Sequence, residues 1–186
     1  TIVRALCSLL EMQGDKYVLC APTGRAAKRL NQVTSREAYT IHRLLEAKRE
    51  GDSDRTTFNK NASSPLKYKY IIVDECSMID VLLFKALFDA SGKNVHFVLV
   101  GDADQLPPVG PGNVFSDFIK SEKIVTIRLN EVFRQSNESN IIINAHKINK
   151  GIVPDLRENK KGFYRMVRSG ESVGEPVVDL VSRRIP

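Results

Sequence analysis

The sequence predicts an α/β fold with a mainly parallel sheet flanked by helices. Three observations carry this. Short apolar runs alternate with stretches whose apolar residues recur at helical spacing, the pattern of strands joined by crossover helices. Three of the four predicted strands end in polar or glycine-containing turns that can face one cleft: Pro22-Thr23-Gly24-Arg25, Asp74-Glu75 and Gly101-Asp102-Ala103-Asp104-Gln105. The run Tyr70 to Val73, apolar or aromatic throughout as a strand buried on both faces must be, leads straight into two adjacent carboxylates.

Taken in order, Thr1 to Met12 is a predicted helix with Ile2, Leu6 and Leu9 on one face, and Gly14 is its stop. Tyr17 to Ala21 is a strand and Arg25 to Leu30 a helix. Thr40 to Arg49 is predicted as a further helix, with Ile41, Leu44 and Leu45 as its apolar face. Gly51 to Pro65, polar and rich in Asp, Ser, Thr and Asn, is predicted to be an exposed, mobile loop. Tyr70 to Val73 is the second strand, Val81 to Ala90 a helix closed by Gly92, and Val95 to Val100 the third strand. Val114 to Lys120 is a short helix. Ile124 to Leu129 alternates and is predicted as a fourth strand. Ile141 to Asn149 is helical, ended by Gly151. The charged remainder carries one apolar helical run, Val177 to Val181.

Length and composition bound the function. The 186 residues suit one domain, or one domain and a fragment, with room for a sizeable core. No apolar run approaches the roughly 20 residues that span a bilayer. The start, Thr1-Ile2-Val3-Arg4, lacks the basic segment, apolar core and cleavage site of a signal peptide. The three cysteines lie in apolar surroundings without metal-ligand spacing, which argues against zinc and for reduced thiols in a cytoplasmic protein. A net charge of +6 suits a polyanionic partner without proving one.

The chemistry concentrates where strands end. Open α/β sheets bind ligands at their carboxyl edge. Two neighbouring anions there repel each other and lose hydration unless a cation neutralises them. Mg²⁺ held by one carboxylate and nucleotide phosphates is the usual reason, leaving the other carboxylate to orient or deprotonate a water. Gln105 offers both an amide donor and an acceptor, which suits sensing a terminal phosphate or an attacking water. Arg134 fits either a surface ion pair or a contact to a transferring phosphoryl group. Thr23 and Arg25, with Lys28 and Arg29, are either a solvated basic helix start or a contact to a nucleic-acid backbone. Thr40 can cap its helix. His42 and Arg43 can touch nucleic acid, although a lone histidine is more often structural. The phosphate-gripping pattern Gly-x-x-x-x-Gly-Lys-Ser/Thr does not occur in the chain.

Several motifs, in order, resemble the superfamily 1 helicases, and within them the RecD-like branch of exodeoxyribonuclease V alpha subunits and their stand-alone relatives. They are CAPTGRAAKRL (20–30), TIHRLL (40–45), IIVDECSMID (71–80), VLVGDADQLPPVGPGNVFSDFI (98–119), RLNEVFRQ (128–135) and NAHKINKG (144–151). The resemblance implies a RecA-like P-loop NTPase fold lacking the phosphate-loop strand. It implies a partial first motor domain over residues 1–155 and a tail, 156–186, leading toward a second. Carried over residue by residue, it implies that Asp74 holds Mg²⁺, Glu75 activates the water, Gln105 senses the γ-phosphate of ATP and Arg134 contacts that phosphate. Pro22, Thr23, Arg25, Thr40 and His42 would lie on single-stranded DNA. The family moves 5′ to 3′ on DNA in recombination and repair, and other exodeoxyribonuclease V subunits are implied as partners.

The resemblance also implies that the phosphate loop ends just before Thr1. The expectation is then a chain without measurable ATPase by itself, and a sheet with two unpaired edges beside the missing strand. The competing expectations are a two-metal nuclease built on Asp74, Glu75, Asp102 and Asp104, a non-catalytic single-strand-binding module, and an RNA helicase of the same superfamily.

Overall fold

The computed structural model describes residues 2–49, 56–129, 140–154 and 174–183. It divides into two compact units, Thr1–Ile127 and Arg128–Pro186. In chain order the first unit runs α1 (Ile2–Met12), β1 (Tyr17–Ala21), α2 (Gly24–Thr34), β2 (Ala38–Thr40), α3 (Ile41–Leu44), β3 (Ala47–Arg49) and β4 (Thr56–Phe58). It continues with β5 (Tyr70–Val73), a 3₁₀ turn (Cys76–Met78), α4 (Val81–Ala90), β6 (His96–Leu99) and α5 (Val114–Ser121). The second unit holds α6 (Asn140–Asn149) and α7 (Gly174–Arg183).

The first unit is built on a four-stranded sheet in the order β2-β1-β5-β6, parallel throughout. Its two inner strands read as apolar runs because both of their faces are covered. Along β1 and β5 the pleat sends Val18, Cys20, Ile71 and Val73 into one core, with Ile41, Leu45, Ile79 and Leu87. It sends Leu19 and Ile72 into a second core, with Cys7 and Leu10 of α1 and Leu30 of α2. The sheet is thus sandwiched between helices, as the alternating pattern predicts.

Side chains fix where the helices start. Thr23, Thr40, Asp80 and Asn113 each accept a backbone N–H from three residues on, at 3.2, 3.1, 2.8 and 3.3 Å, satisfying amides that a helix start leaves free. A polar staple closes the α1 side. The Arg36 guanidinium grips both oxygens of Glu11 at 2.6 Å and also donates to the Thr34 carbonyl, while the Tyr17 hydroxyl donates to Glu11. Those donors hold the Glu11 carboxyl down at about 2. Cys7, Cys20 and Cys76 are free and buried, and burial pushes the Cys20 and Cys76 thiols up to about 12. Neither is therefore a ready nucleophile.

Three expectations need correction. The helix predicted over Thr40 to Arg49 ends at Leu44. Ile41, Leu44 and Leu45 are buried as expected, but Glu46 takes a left-handed conformation (φ 52°) that turns the chain out of the helix. Residues Ala47–Arg49 then pair antiparallel with Thr56–Phe58 as the hairpin β3–β4. The predicted 51–65 loop therefore contains a strand, and residues 50–55 lie outside the described ones. The strand predicted over Ile124 to Leu129 is absent: Val125, Ile127 and Leu129 are exposed and no ladder reaches them among the described residues. Alternation shapes a strand only where a neighbour offers its edge. The fourth strand of the sheet is instead β2, three residues pairing with β1.

In the second unit, α6 ends at a left-handed Gly151 (φ 71°), where Gly151 and Ile152 donate to the carbonyls of Ile148 and Lys147. An Asp179–Arg183 pair lies along α7 at 2.7 Å.

Candidate functional site

Parallel pairing and a common register put the ends of β1, β5 and β6 at one edge. Cys20 is opposite Val73, and Val73 is opposite Leu99. Whatever follows each of these strands therefore emerges side by side, at the carboxyl edge where such sheets bind ligands.

The turn after β5 is knit into its neighbours. The Asp74 amide donates to the Cys20 carbonyl at 2.9 Å, and the Cys76 amide donates to the Val100 carbonyl at 2.8 Å. Glu75 takes a left-handed conformation (φ 52°, ψ 40°). Its amide donates to Asp74 Oδ1 at 3.0 Å. A non-glycine residue held in this region stores strain that the surrounding structure must enforce, a frequent feature of functional turns. Asp74 and Glu75 are half-buried, while Cys76, Ser77 and Ile79 behind them are buried. The Ser77 hydroxyl is the one buried side-chain oxygen without a partner among the described residues.

The turn after β6 is different. Residues Gly101 to Pro107 are all exposed. Its hydrogen bonds are its own: Asp104 N–H to Asp102 Oδ1 at 3.0 Å, Gln105 N–H to the Asp102 carbonyl at 3.2 Å, and Gln105 Nε2 to Asp102 Oδ2 at 3.2 Å. Gln105 thus shares the edge with Asp74 and Glu75 but spends its amide on Asp102. Arg134 lies outside the described residues.

The residues assigned to DNA flank this edge. Thr23 caps α2, and Arg25, Lys28 and Arg29 are exposed on its first turns. Pro22 is half-buried between β1 and that cap. Thr40 ends β2 and caps α3. The exposed His42 ring lies 6.0 Å from Phe58 of the hairpin, centroid to centroid. The Arg43 guanidinium sits 5.4 Å above the Tyr39 ring, an attractive arrangement. Capping occupies the two threonine oxygens as acceptors and leaves each hydroxyl proton free to donate.

Among the described residues no three His, Cys, Asp or Glu side chains gather as a metal cage. Asp102 and Asp104 therefore do not join Asp74 and Glu75 in a cluster of the kind a two-metal nuclease needs. No described helix is long and apolar enough to cross a membrane.

Sequence reasoning missed Asp80, Gly110 and Gly112. Asp80 was readable as an N-cap, an aspartate directly before an apolar helix. The glycines were readable only as a flexible stretch, because their reason is a close approach between segments far apart in the chain.

The AAA domain family matches residues 1–111. The ATP-dependent RecD2 DNA helicase of Deinococcus radiodurans is 40% identical over 154 residues, covering 83% of this chain and 20% of the relative. The RecD subunit of the RecBCD enzyme of Mycobacterium tuberculosis is 33% identical over 142 residues, covering 64% and 24%. A solved structure of Pif1 helicases at forked DNA superposes with a TM-score of 0.52 at 22% identity, covering 81% of this chain and 41% of that one. This likeness bears on the fold and agrees with a RecA-like sheet. The chain spans about a fifth to a quarter of the length of these two curated relatives. With the edge geometry and the motifs that lie on it, these matches show that the chain belongs to the AAA domain family, within the RecD-like branch of the superfamily 1 helicases.

Proposed function

We propose that residues 1–155 form part of the first motor domain of an ATP-dependent DNA helicase. It would move 5′ to 3′ on single-stranded DNA in recombination and repair, in the cytoplasm, with 156–186 leading toward a second motor domain. The observation that carries this reading is the shared edge. A rigid acidic turn, an adaptable glutamine turn and two capped, cation-bearing helix starts emerge together from adjacent parallel strands. The reading takes the phosphate loop to be supplied by the full-length protein.

Asp74 fits a Mg²⁺ ligand. Its Oδ1 is fixed by the Glu75 amide, and no described group bonds its Oδ2. A hard cation that keeps most of its waters needs only such a carboxylate and the phosphates. Mg²⁺ there supplies charge neutralisation at the phosphates. Glu75, on a left-handed backbone next to Asp74, is assigned to taking a proton from the attacking water or orienting it. Gln105 can exchange its bond to Asp102 for one to the terminal phosphate or that water, and so report the nucleotide state to the exposed segment it sits on. Arg134 is assigned to stabilising charge on that phosphate. The basic start of α2, with Thr40 and His42, is assigned to the DNA strand.

The test is single-strand-stimulated ATP hydrolysis by the full-length protein, with and without Mg²⁺, alongside assays for DNA cleavage and ATP-independent binding. Hydrolysis should require Mg²⁺ and DNA and fall at least about 100-fold in Asp74→Asn. DNA cut without ATP would replace this reading with the nuclease. Salt-dependent binding indifferent to ATP would replace it with the binding module.

A further inference from the structure

The segment that carries Gln105 leaves β6 at Gly101 and returns to the body at Val114, the first residue of α5. At both ends it touches the segment that carries Asp74 and Glu75, and at both ends the touching residue is a glycine. At the near end a Cβ on Gly101 would lie 3.0 Å from the Ser77 nitrogen, 3.2 Å from the Cys76 nitrogen and 3.2 Å from the Phe115 ring. Backbone cannot yield as a side-chain tip can. At the far end a Cβ on Gly110 would lie 2.1 Å from Asp80 Oδ2, 2.7 Å from its Cγ and 2.8 Å from its Cβ.

Rotating the Asp80 side chain does not relieve that overlap. Its own Cβ is within the clash, and its Oδ1 is tied down as the cap of α4 by the Leu83 amide at 2.8 Å. Two residues on, Gly112 has a left-handed φ of 84°, and a Cβ there would meet Val81 Cβ at 3.1 Å. Between these glycines the Val81 amide donates to the Pro111 carbonyl at 2.9 Å. The middle of the segment is free: Leu106 is 86% exposed, and Val109 is also fully exposed.

We propose that Gly101 and Gly110 are positioning residues. They seat the two ends of the glutamine-bearing segment flush against the Asp74–Val81 segment, so that Gln105 is presented to the hydrolytic turn on a bow with fixed feet. Asp80 is the far foot's seat as well as the cap of α4. The bow can flex between its feet, but it cannot slide along the acidic turn. The mechanical part stands on the contacts alone; its consequence for hydrolysis rests on the function proposed above.

The two parts are tested separately in the full-length protein, using Gly110→Ala and the double variant Gly110→Ala/Asp80→Gly. Glycine removes every Asp80 side-chain atom that the new methyl meets, its Cβ included, and is itself tolerated at a helix N-cap. Hydrogen exchange at the Val81 amide, corrected for its intrinsic rate, reads the far foot directly, because that amide donates to the Pro111 carbonyl. It should speed up in Gly110→Ala and return toward the wild-type rate in the double variant. Unchanged exchange in the single variant, or failure of the double to restore it, would overturn the clamp whatever the protein hydrolyses. Steady-state ATPase reads the consequence. Gly110→Ala should lower kcat by about 10- to 100-fold with the KM for ATP nearly unchanged, because displacing a positioning contact weakens the transition state more than ground-state binding. The double variant should recover most of that kcat. Equal losses in kcat and KM without recovery would mean that Gly110 is merely structural. An inactive wild type with restored exchange in the double would sink the motor reading and leave the clamp standing.

Discussion

Two turns leave adjacent strands of the same sheet and are built in opposite ways. The turn after β5 is anchored to β1 and β6 through backbone hydrogen bonds, with its carboxylates half-buried and Ile79 packed in the core behind them. The turn after β6 is exposed from Gly101 to Pro107 and bonded mainly to itself. The groups assigned to metal and water thus stand on rigid backbone before any nucleotide arrives. The group assigned to sensing stands on an arm whose bonds are easily exchanged. Preorganisation is most valuable where charge develops. Adaptability is most valuable where a state must be reported.

The largest effect that can break this contrast is on stability. Ile79 is 1% exposed and Leu106 is 86% exposed. Truncating a buried isoleucine leaves a cavity, so Ile79→Ala should destabilise by about 2–5 kcal/mol. Leu106→Ala should stay within about 0.5 kcal/mol. Urea unfolding midpoints of the two variants decide the matter, and similar losses would erase the distinction between the turns.

A smaller effect uses a third region as a control. The Glu11 carboxyl is held down at about 2 by Arg36 and Tyr17. A carboxyl that binds protons less readily when folded adds stability above its unfolded value and loses it as pH falls toward the folded one. The contribution should therefore fade between pH 4.5 and about 2. Glu11→Gln should flatten that part of the stability–pH curve while leaving hydrolysis at neutral pH unchanged. A curve with the same slope in both proteins would show that the staple does not hold in solution.

Most of what positions the candidate site could be read from the sequence, because it rests on strands buried on both faces. β1, β5 and α4 lie at the residues predicted for them, since an unbroken apolar run and a capped amphipathic stretch are local signals. The Asp74–Glu75 turn was visible for the same reason. What was not legible depends on partners distant in sequence. β2 is three half-buried residues, too short to show a period. The hairpin strands Ala47–Arg49 and Thr56–Phe58 are strands because they pair with each other. Ile124 to Leu129 shows the converse, an alternating run without a partner among the described residues. The seats of Gly101 and Gly110 were hidden too, because a glycine in a sequence does not name the atom it must approach.

The account depends on Glu75 doing chemistry rather than packing. The most direct measurement is steady-state ATP hydrolysis by the full-length protein on single-stranded DNA with Glu75→Gln, which keeps size and polarity but cannot take a proton. The predicted result is a kcat lower by about 100-fold or more with the KM for ATP within a few-fold of wild type, as loss of a general base requires. A variant that hydrolyses ATP at the wild-type rate would contradict the assignment of this edge as a hydrolytic site.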